Sequence, residues 1–472
     1  MELVSVKDQA LDEPLAEIVD DTAPKLEVER RSAFDAALTV KRGIWELLYN
    51  SRQYRAAETV AHDMVDTTEA EYGKDHLLTL NCQNDLAWAL YRQGLYKEAE
   101  PLFDTVAKGY RSTLGEGDQK TISSLFQYGK VLSRQKKDRK AGSVFKKVLR
   151  DESHGYTLRA KYELGWTLCS RHKYGEAEAV FRELVGARKH ALGSEHVHTL
   201  NALHGLGWAL CHQDRCADAE RVFSGVLEGR RHLLGDDHIH TLKTFHGLGK
   251  ALGGLDKNKE ATDFLKTAVE GLTQHLGREH METVDAIYEF GWVLYRQKSD
   301  REAERTFREV LRARSEVLGQ THPKTLDALH GLGRTLISQS KNREAERVLK
   351  LVVAGRREEL GEDHPDTFKA MESLAAAIFN QHRKREAEER MIEVVNGRAH
   401  VLGTGHRDTR AALEFLNRVL EAQEKPGRLD QEEEDLTDGS TRRWRHGQQL
   451  IESERGERGG QLRDLFTRIG LR

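Results

Sequence analysis

A threonine returns at a fixed interval through most of this chain. It stands at Thr79, Thr121, Thr157, Thr199, Thr241, Thr283, Thr325, Thr367 and Thr409. An alanine follows the same interval, at Ala57, Ala99, Ala141, Ala177, Ala219, Ala261, Ala303, Ala345 and Ala387. Successive copies lie 42 residues apart, except for one step of 36 between Thr121 and Thr157. A fixed period of this length is typical of solenoids, in which similar small units stack on one another.

Within one repeat, the apolar residues follow the spacing of two amphipathic helices. Leu203, Leu206 and Leu210 recur every three or four residues, and Val222 and Phe223 continue the pattern after a short polar turn. A glycine follows the second helix, where its tolerance of left-handed backbone angles suits a helix end. This glycine is Gly73, Gly115, Gly193, Gly235, Gly277, Gly319, Gly361 and Gly403. Each repeat is therefore predicted to be a helical hairpin.

The series Leu203-x2-Leu206-Gly207-x2-Leu210…Ala219-x3-Phe223 resembles the tetratricopeptide (TPR) repeat, with about eight residues added to its usual 34. The longer form, with Leu-Gly-x-x-His-x-x-Thr between units, is similar to the TPR arrays of kinesin light chain, nephrocystin-3 and the fungal NLR-type receptors. The resemblance extends from about Ala33 to Ala422. It implies an all-α fold: a right-handed superhelical solenoid of about nine TPR helix pairs plus a C-terminal capping helix.

The array itself is predicted to span residues 32–422, between two segments that do not repeat. Residues 1–31 form an acidic, mostly mobile N-terminal arm with one short helix expected around Pro14–Val19. The first repeat carries Trp45 at a usually small position, which favours an atypical capping repeat. The third repeat is six residues short. This shortening predicts a bend or a wider gap before the fourth repeat, or a neutral deletion absorbed in the loop.

Residues 423–472 read as an acidic linker followed by a basic tail. The linker includes Glu432-Glu-Glu-Asp435, which is not expected to fold alone. Near the end of the tail, Leu462, Leu465, Phe466 and Ile469 lie at helical spacing. The tail is predicted either to form an amphipathic helix that docks on the array or a partner, or to stay mobile until something binds it.

Composition excludes several classes of function. The formal charge is −3, so neither nucleic acid nor a membrane is an expected partner. Four cysteines without metal-type pairing indicate a reducing compartment, and no long apolar run or signal peptide is visible, so we expect a cytoplasmic protein. No catalytic or nucleotide-binding motif occurs, so the chain is not expected to be an enzyme or to hold a cofactor.

Two positions of the first helix point into the concave groove of a TPR array. The first position is occupied by Glu46, Trp88, Lys130, Trp166, Trp208, Lys250, Trp292, Arg334 and Ala376. The second is occupied by Arg42, Asn84, Phe126, Tyr162, His204, His246, Tyr288, His330 and Glu372. One turn further on lie Tyr91-Arg92 and Tyr295-Arg296. Aromatic rings beside cations suit an extended peptide with acidic and aromatic side chains, because Trp, Tyr and Arg are enriched at binding hot spots.

The candidate peptide-binding residues are Trp88, Tyr91, Arg92, Lys130, Tyr162, Trp166, His204, Trp208, His246, Lys250, Tyr288, Trp292, Arg296, His330 and Arg334. The alternative is that the tryptophans only fill space between neighbouring first helices. Resemblance to kinesin light chain implies acidic, Trp-containing peptide ligands. However, that family usually has Asn-Leu-Ala before the groove position, where this chain has Gly205-Leu-Gly207, Gly247-Leu-Gly249 and Gly331-Leu-Gly333.

One histidine per repeat stands in the loop before the first helix: His76, His154, His196, His238, His280, His322, His364 and His406. A zinc ion needs ligands within about 2 Å, whereas packed helices are about 8–10 Å apart, so one histidine per repeat is poorly placed to share a metal. We therefore predict that these histidines cap the following helix or pack on a neighbouring loop, and that the chain has no metal site.

The predicted function is a protein–protein interaction scaffold or adaptor that binds a peptide segment of another protein in the groove. The alternative is a ligand- or partner-sensing module, resembling the repeat half of NLR-type proteins, that acts with a separate effector. The acidic segment 429–436 is expected to occupy the groove of its own chain. Deletion of residues 424–472 should then raise affinity for partners.

Overall fold

The computed structural model describes the backbone of residues 13–150 and 156–422, with side chains from residue 28 onward. Within these ranges it contains nineteen α-helices and no strand, as the repeat pattern predicts. His154, the acidic segment 429–436 and the proposed tail helix with Leu462 and Phe466 lie outside the described residues.

The helices form nine consecutive pairs followed by a single helix. The first helices of the pairs are α1 (Glu13–Asn50), α3 (Leu77–Gln93), α5 (Gln119–Arg134), α7 (Thr157–Ser170), α9 (Val197–Cys211), α11 (Ile239–Gly254), α13 (Met281–Arg296), α15 (Pro323–Ser338) and α17 (Pro365–Phe379). The second helices are α2 (Tyr54–Tyr72), α4 (Tyr96–Leu114), α6 (Asp138–Val148), α8 (Tyr174–Leu192), α10 (Cys216–Leu234), α12 (Asn258–Leu276), α14 (Asp300–Leu318), α16 (Asn342–Leu360) and α18 (Lys384–Leu402). The single helix is α19 (Arg407–Glu421).

The chain divides into two compact units, residues 1–209 and residues 210–472, with the boundary inside α9. In unit 1, α1 to α4 enclose a core that includes Trp45, Met64 and Phe103. In unit 2, α13 to α19 enclose a continuous core that includes Phe307 and Leu349. The sequence predicts one array over residues 32–422, and each of these units has the helix-pair architecture expected of it.

Close packing between repeats depends on glycines inside the first helices. Phe181 of α8 is fully buried, and a Cβ atom added to Gly165 or Gly205 would lie 2.6 or 2.5 Å from its ring. The same contact joins Phe307 to Gly331, at 2.5 Å. A side chain at these positions would displace the ring, since real contacts of this kind are far longer. The first glycine of each Gly-Leu-Gly triplet, where asparagine was expected, is therefore a socket for the phenylalanine of the preceding repeat, whereas Gly249 and Gly333 face Leu265 and Leu349 of their own repeats.

The loops between repeats are held by two recurring hydrogen bonds. Nδ1 of a loop histidine accepts the backbone N–H two residues later, at 3.1–3.3 Å, at His76, His196, His238, His280, His322, His364 and His406. In six repeats the repeating threonine donates to the glycine carbonyl six residues earlier, at 2.8–2.9 Å: Thr79, Thr199, Thr283, Thr325, Thr367 and Thr409. The predicted capping role of the histidines is confirmed, and it satisfies a donor that a helix start leaves unpaired.

The turn inside each helix pair carries a residue in the left-handed region. Its φ is 57–65° at Arg52, Lys136, His172, Asp214, Asp256, Lys298, Ser340 and His382, and Gly94 takes this place in the second repeat. At Lys136, the amide N–H bonds to the Ser133 carbonyl at 3.1 Å, and the next amide bonds to the Leu132 carbonyl at 2.9 Å. This pair of bonds is the Schellman ending of a helix, in which glycine is usual.

The first repeat is atypical, as predicted, and longer than predicted. α1 begins at Glu13, although residues 1–31 were expected to be mostly mobile with only a short helix around Pro14–Val19. Pro14 occupies the first turn of α1, where its missing N–H has no helical partner to lose. Arg30 pairs with Glu71 of α2, which ties α1 down before the predicted start of the array. The buried Trp45 stacks on Tyr49 at 4.9 Å.

The third repeat is shortened in its second helix. α6 has 11 residues, whereas α4 and α8 each have 19. The loop that follows it, residues 151–155, lies outside the described ranges. The bend expected before the fourth repeat stays a prediction. At the C-terminal end, α19 buries Phe415, Leu416 and Leu420, which confirms its predicted role as a capping helix.

Candidate peptide-binding site

The first helices of neighbouring repeats contact one another directly. α5 contacts α7 in unit 1, and α11, α13, α15 and α17 contact one another in succession in unit 2. These contacts bring the candidate groove positions of adjacent repeats side by side. We call the surface formed by first helices within one unit its first-helix face.

On the first-helix face of unit 1, Trp88 and Tyr91 lie on α3 and form an edge-to-face pair with centroids 5.8 Å apart. Trp88 also contacts the buried Phe103 at 6.0 Å. Nζ of Lys130, on α5, lies 5.6 Å from the Tyr91 centroid and 5.8 Å from that of Phe126. Tyr91 thus contacts both Trp88 and Lys130, while their role in binding a peptide stays a prediction.

A second aromatic group in unit 1 comprises Tyr162, Trp166, His204 and Trp208. Trp166 lies 5.7 Å from Phe181 and 6.4 Å from His204. The indole N–H of Trp208 donates to Nε2 of His204 at 3.3 Å. His204 is buried, and Tyr162 has the Arg188 guanidinium 5.4 Å from its ring centroid. These residues contact one another closely. Packing between helices therefore explains the presence of these aromatic side chains better than it explains those of the Trp88 group.

In unit 2, Trp292 occupies the centre of the first-helix face. It forms perpendicular contacts with Tyr288 at 6.2 Å and Tyr295 at 5.7 Å, and contacts the buried Phe307 at 5.3 Å. The exposed Arg334 of α15 places Cζ 5.4 Å from the Trp292 centroid and 5.2 Å from that of Tyr295. Such a stack holds the guanidinium over two rings by cation–π attraction.

Lys250, a candidate for binding an acidic peptide, is already paired with a carboxylate. Its Nζ lies 2.7 Å from Oε1 of Glu289, and the two side chains are 22% and 14% exposed. Burial alone lowers the pKa of Lys250, but the charge of Glu289 and the hydrogen bond to it outweigh burial and raise the pKa above its usual value. For Glu289, burial raises the pKa and Lys250 reverses the shift, so the pKa falls below its usual range. Both groups are held in their charged forms.

The histidines of the candidate site are packing residues. His204, His246 and His330 are all buried. Burial lowers the pKa of His246 to about 4, and burial with nearby Arg356 and Arg334 holds the pKa of His330 well below its usual value. Nε2 of His330 lies 2.9 Å from the Ser373 hydroxyl. All three side chains offer a ligand little surface, and His246 and His330 carry no positive charge at neutral pH.

The two remaining arginines of the candidate set differ in their surroundings. Arg92 donates to the Tyr54 hydroxyl at 2.7 Å from Nη2 and lies 5.2 Å from that ring centroid, so it faces the first repeat. Arg296, at the end of α13, is exposed.

Sequence reasoning missed a set of buried arginines on the second helices. They are Arg188, Arg230, Arg314, Arg356 and Arg398, and each is at most 6% exposed. Nη1 of each donates to the backbone carbonyl ten residues later, at 2.6–2.9 Å. In unit 2, Nη2 of Arg314 and Arg356 also bonds to Asp285 and Asp327 of the preceding first helix. Their recurrence at one repeat position was the signal that could have identified them.

The described residues also form two clefts, the second of which adjoins the Trp88 group, since Tyr96 in its lining lies 5.5 Å from Tyr91. One, of about 550 Å³, is lined by Leu227 and Arg231 of α10, Leu248 of α11 and Phe264 of α12, with Ser224, Glu228 and His232. The other, of about 730 Å³, lies at the turns of the second and third repeats, beside Tyr96 and Arg134. In the described part of the chain, no cluster of three or more histidine, cysteine or acidic side chains could hold a metal ion.

Stacked helix pairs with aromatic and basic residues on the first helices define a helical-repeat scaffold protein. Family profiles described as tetratricopeptide repeat match residues 46–112, 156–224, 209–274 and 282–358, and another of the same description matches residues 367–408. The chain belongs to the tetratricopeptide repeat family. Its repeats generally mediate protein–protein interactions and are generally non-enzymatic.

Solved structures of low sequence identity show similar repeats. The nearly identical TPR-like repeats of a Podosopora anserina protein described as a kinesin light chain are 23% identical, covering 44% of this chain and 97% of that one, with a TM-score of 0.36. BtubC (BKLC) from P. vanneervenii is 14% identical, covering 50% of this chain and 93% of that one, with a TM-score of 0.40. No curated protein matched the chain.

Membrane insertion has no support among the helices that the structure describes. None of them combines the length and the apolar composition that a bilayer crossing requires.

Proposed function

We propose that this protein is an adaptor that binds extended acidic segments of other proteins on its first-helix faces. The observation that carries the proposal is the stacking of Arg334 on Trp292 and Tyr295. Within residues 28–150 and 156–422, Arg334 forms no ion pair with a carboxylate; Lys130 forms none either, but its charge acts on the nearby Glu163. A stacked cation keeps its N–H donors for an incoming carboxylate, and the adjacent rings supply apolar contact area.

The buried arginines provide the contrast that supports this assignment. Arg314 also lies over an aromatic ring, 4.3 Å from the Tyr288 centroid, but it is 3% exposed and bonded to Asp285. Arg314 therefore has its carboxylate within the fold. Arg334 is exposed and has none in the described residues, so an acidic partner would complete the same arrangement from outside.

An affinity capture from native cell extract tests the proposal. The baits are the full chain, a variant carrying Trp88→Ala, Lys130→Glu, Trp292→Ala and Arg334→Glu, and a control carrying Lys147→Glu and Arg347→Glu on exposed positions of second helices. Lys250→Glu is avoided, because it would place a second carboxylate against Glu289 and destabilise the fold. Partners should be retained by the control and lost by the first-helix variant, with cross-links mapping to acidic segments.

Capture of the same proteins by all three baits would contradict the proposal. A fourth bait, lacking residues 424–472, examines self-occupancy of the faces by the acidic segment 429–436. Greater recovery of the same partners by this bait is expected if that segment competes with them. Unchanged recovery would contradict only the competition by segment 429–436. The proposal that the first-helix faces bind acidic segments of other proteins would remain in place.

A further inference from the structure

Among the described residues, a similar three-residue arrangement occurs in each compact unit, although only in unit 2 does the cation lie over the tryptophan as well as the tyrosine. In unit 1 it consists of Trp88 and Tyr91 on α3 with Lys130 on α5, and we call it clamp 1. In unit 2 it consists of Trp292 and Tyr295 on α13 with Arg334 on α15, and we call it clamp 2. The ring pairs have nearly the same geometry: 5.8 Å and 84° in clamp 1, and 5.7 Å and 90° in clamp 2.

The supports of the two clamps also correspond. Each tryptophan stands edge-to-face against a fully buried phenylalanine of the paired second helix, Phe103 at 6.0 Å and Phe307 at 5.3 Å. Each tryptophan is half-buried, so the phenylalanine fixes one side of the indole while part of it faces solvent. Rings held in this way lose little side-chain entropy when a ligand binds.

The cation of each clamp comes from the first helix of the next repeat. Lys130 places Nζ 5.6 Å from the Tyr91 centroid, and Arg334 places Cζ 5.2 Å from the Tyr295 centroid. Arg334 forms no ion pair with a carboxylate in the described ranges, whereas Lys130 lies near enough to the half-buried Glu163 of α7 that its charge opposes the rise in the pKa of that carboxyl. Because an arginine fork can bond a carboxylate through two parallel N–H groups and an ammonium acts as a point charge, clamp 2 should bind more tightly than clamp 1.

The other two tryptophans at this repeat position, Trp166 and Trp208, lack the complete set. One turn after Trp166 and Trp208 stand Cys169 and Cys211, so neither has the tyrosine. The cation position in the repeat after Trp166 is Trp208 itself, and the one after Trp208 is Lys250, whose charge is paired with Glu289. Of the four tryptophans at this position, only two belong to complete clamps.

We infer that the chain is a bivalent receptor: each clamp takes one short segment that carries an aromatic side chain beside carboxylates, and the preferred partner presents this segment at least twice. The inference rests on the proposed function and adds the number of sites and the class of partner. A partner of this class is a homo-oligomer or a chain with the acidic motif in tandem. Simultaneous engagement of two sites raises apparent affinity well beyond that of one site.

Isothermal titration of the full chain with the peptide acetyl-Asp-Glu-Phe-Glu-Asp-amide, at low ionic strength, measures the number of sites. Two peptides per chain are expected. Lys130→Glu and Arg334→Glu should each reduce the stoichiometry to one, and the double variant should bind at least about 30-fold more weakly, the loss expected of a hot spot. Both substitutions are on partly or fully exposed side chains, and circular dichroism checks that each variant remains folded.

A second measurement tests bivalency without requiring a known spacing between the clamps. The biotinylated peptide is fixed on a streptavidin sensor at low and high density. The wild type should dissociate at least tenfold more slowly from the dense surface than from the sparse one, whereas either single variant should dissociate at the same rate from both. Arg334→Lys, which retains the charge, should keep the density dependence.

The outcomes separate this inference from the proposed function. One peptide per chain, or two that survive the double variant, would overturn the two-clamp inference while leaving acidic-segment binding intact. Absence of any binding to the wild type would overturn both. Two peptides per chain, each lost with its own clamp, would establish the receptor as bivalent.

Discussion

At the scale of single residues, pairing determines which charges of the first-helix faces are available. Lys250 and Arg334 occupy the same repeat position, yet Lys250 is bonded to Glu289 and Arg334 lies on two aromatic rings. A ligand that approaches unit 2 therefore meets one accessible cation at these two positions. The number of basic residues at the position overstates the positive charge offered to a partner.

His246 predicts a loss of stability in mild acid. Its neighbours Glu289 and Asp285 favour protonation while Lys250 and Lys324 oppose it, and burial dominates, lowering the pKa to about 4. The unfolded chain binds this proton below about pH 6.5, whereas the folded chain excludes it until about pH 4. Stability is therefore full above pH 6.5 and falls as the pH decreases. The share due to His246 should reach about 3 kcal/mol near pH 4.

Urea unfolding of the wild type and of His246→Gln at several pH values checks this prediction. The difference in unfolding free energy between the two proteins should shrink from pH 7 to pH 4, because only the wild type loses the His246 contribution. His62→Gln, at an exposed position on α2, serves as the matched control and should leave the pH dependence unchanged. A pH-independent difference between wild type and His246→Gln would contradict the assignment.

At the scale of the helix pair, the turns store a small strain that glycine would relieve. Lys136 has a φ of 60° and is exposed, and both backbone hydrogen bonds of its turn are independent of its side chain. A side chain costs about 1–2 kcal/mol in left-handed backbone, part of which the greater entropy of unfolded glycine offsets. Lys136→Gly should therefore stabilise unit 1 by about 0.5–1 kcal/mol, measured by chemical denaturation.

Two further substitutions determine whether the gain arises from the backbone. Lys140→Gly, four residues later and exposed within α6, should destabilise by about 1 kcal/mol, since glycine is unfavourable inside a helix. Gly94→Lys introduces lysine at the one turn that already has glycine, where φ is 82°, and should also destabilise. Equal responses of Lys136→Gly and Lys140→Gly would show that left-handed strain is not the cause.

Most helices of the array could be predicted from sequence because their ends carry local signals. Glycine after the second helix, histidine before the first and a fixed 42-residue interval locate these boundaries without knowledge of the fold. α1 was missed before Ala33 because the acidic composition of residues 1–31 resembles that of a mobile segment. The hydrogen bonds of Arg30 to Glu71 and of Tyr72 to Asp35 connect residues 37 or more apart, and periodicity does not reveal such contacts.

At the scale of the molecule, the buried arginines join successive repeats within each unit. Arg356 of α16 bonds to the Asp366 carbonyl of α17 at 2.7 Å and to Asp327 of α15 at 2.6 Å, so one side chain connects three helices. Repeat proteins gain much of their stability from such nearest-neighbour interfaces. Arg356→Met should lower the free energy of unfolding of unit 2 by about 2–3 kcal/mol and broaden its transition, because hydrogen bonds to charged groups are lost.

The matched control for Arg356 is Arg347→Met, which alters an exposed arginine of the same helix. It should change the free energy of unfolding by less than about 0.5 kcal/mol. Equal effects of the two substitutions, or an unbroadened transition for Arg356→Met, would show that this arginine does not couple repeats. Hydrogen exchange of α15 and α17 reports the loss of coupling directly, because both should exchange faster in Arg356→Met alone.

The candidate site was only partly accessible to sequence reasoning. The repeat alignment correctly brought Trp292 near Arg334, because side chains at one repeat position meet on neighbouring helices, whereas Lys130 contacts Tyr91 rather than Trp88. It failed to predict that His204, His246 and His330 are buried, or that Glu289 pairs with Lys250. Those features depend on the size and charge of the side chains that neighbouring repeats contribute, and these side chains differ between repeats whose patterns are otherwise alike.

The glycine sockets link the sequences of neighbouring repeats, because a phenylalanine in one repeat packs against a glycine in the next. Phe181, Phe223 and Phe307 are each followed, one repeat later, by Gly205, Gly247 and Gly331, whereas Leu265 and Leu349 are followed by Glu289 and Ser373. Phe103 and Phe145 are followed by Gln127 and Glu163, so phenylalanine is paired with glycine of the next repeat only from the fourth repeat onward. A recombination that brought Phe307 before a repeat bearing glutamate would require that junction to repack, as the junction between Phe145 and Glu163 is packed differently. Junctions that pair phenylalanine with glycine need no such repacking, and this favours them as the points at which the array can gain, lose or exchange repeats.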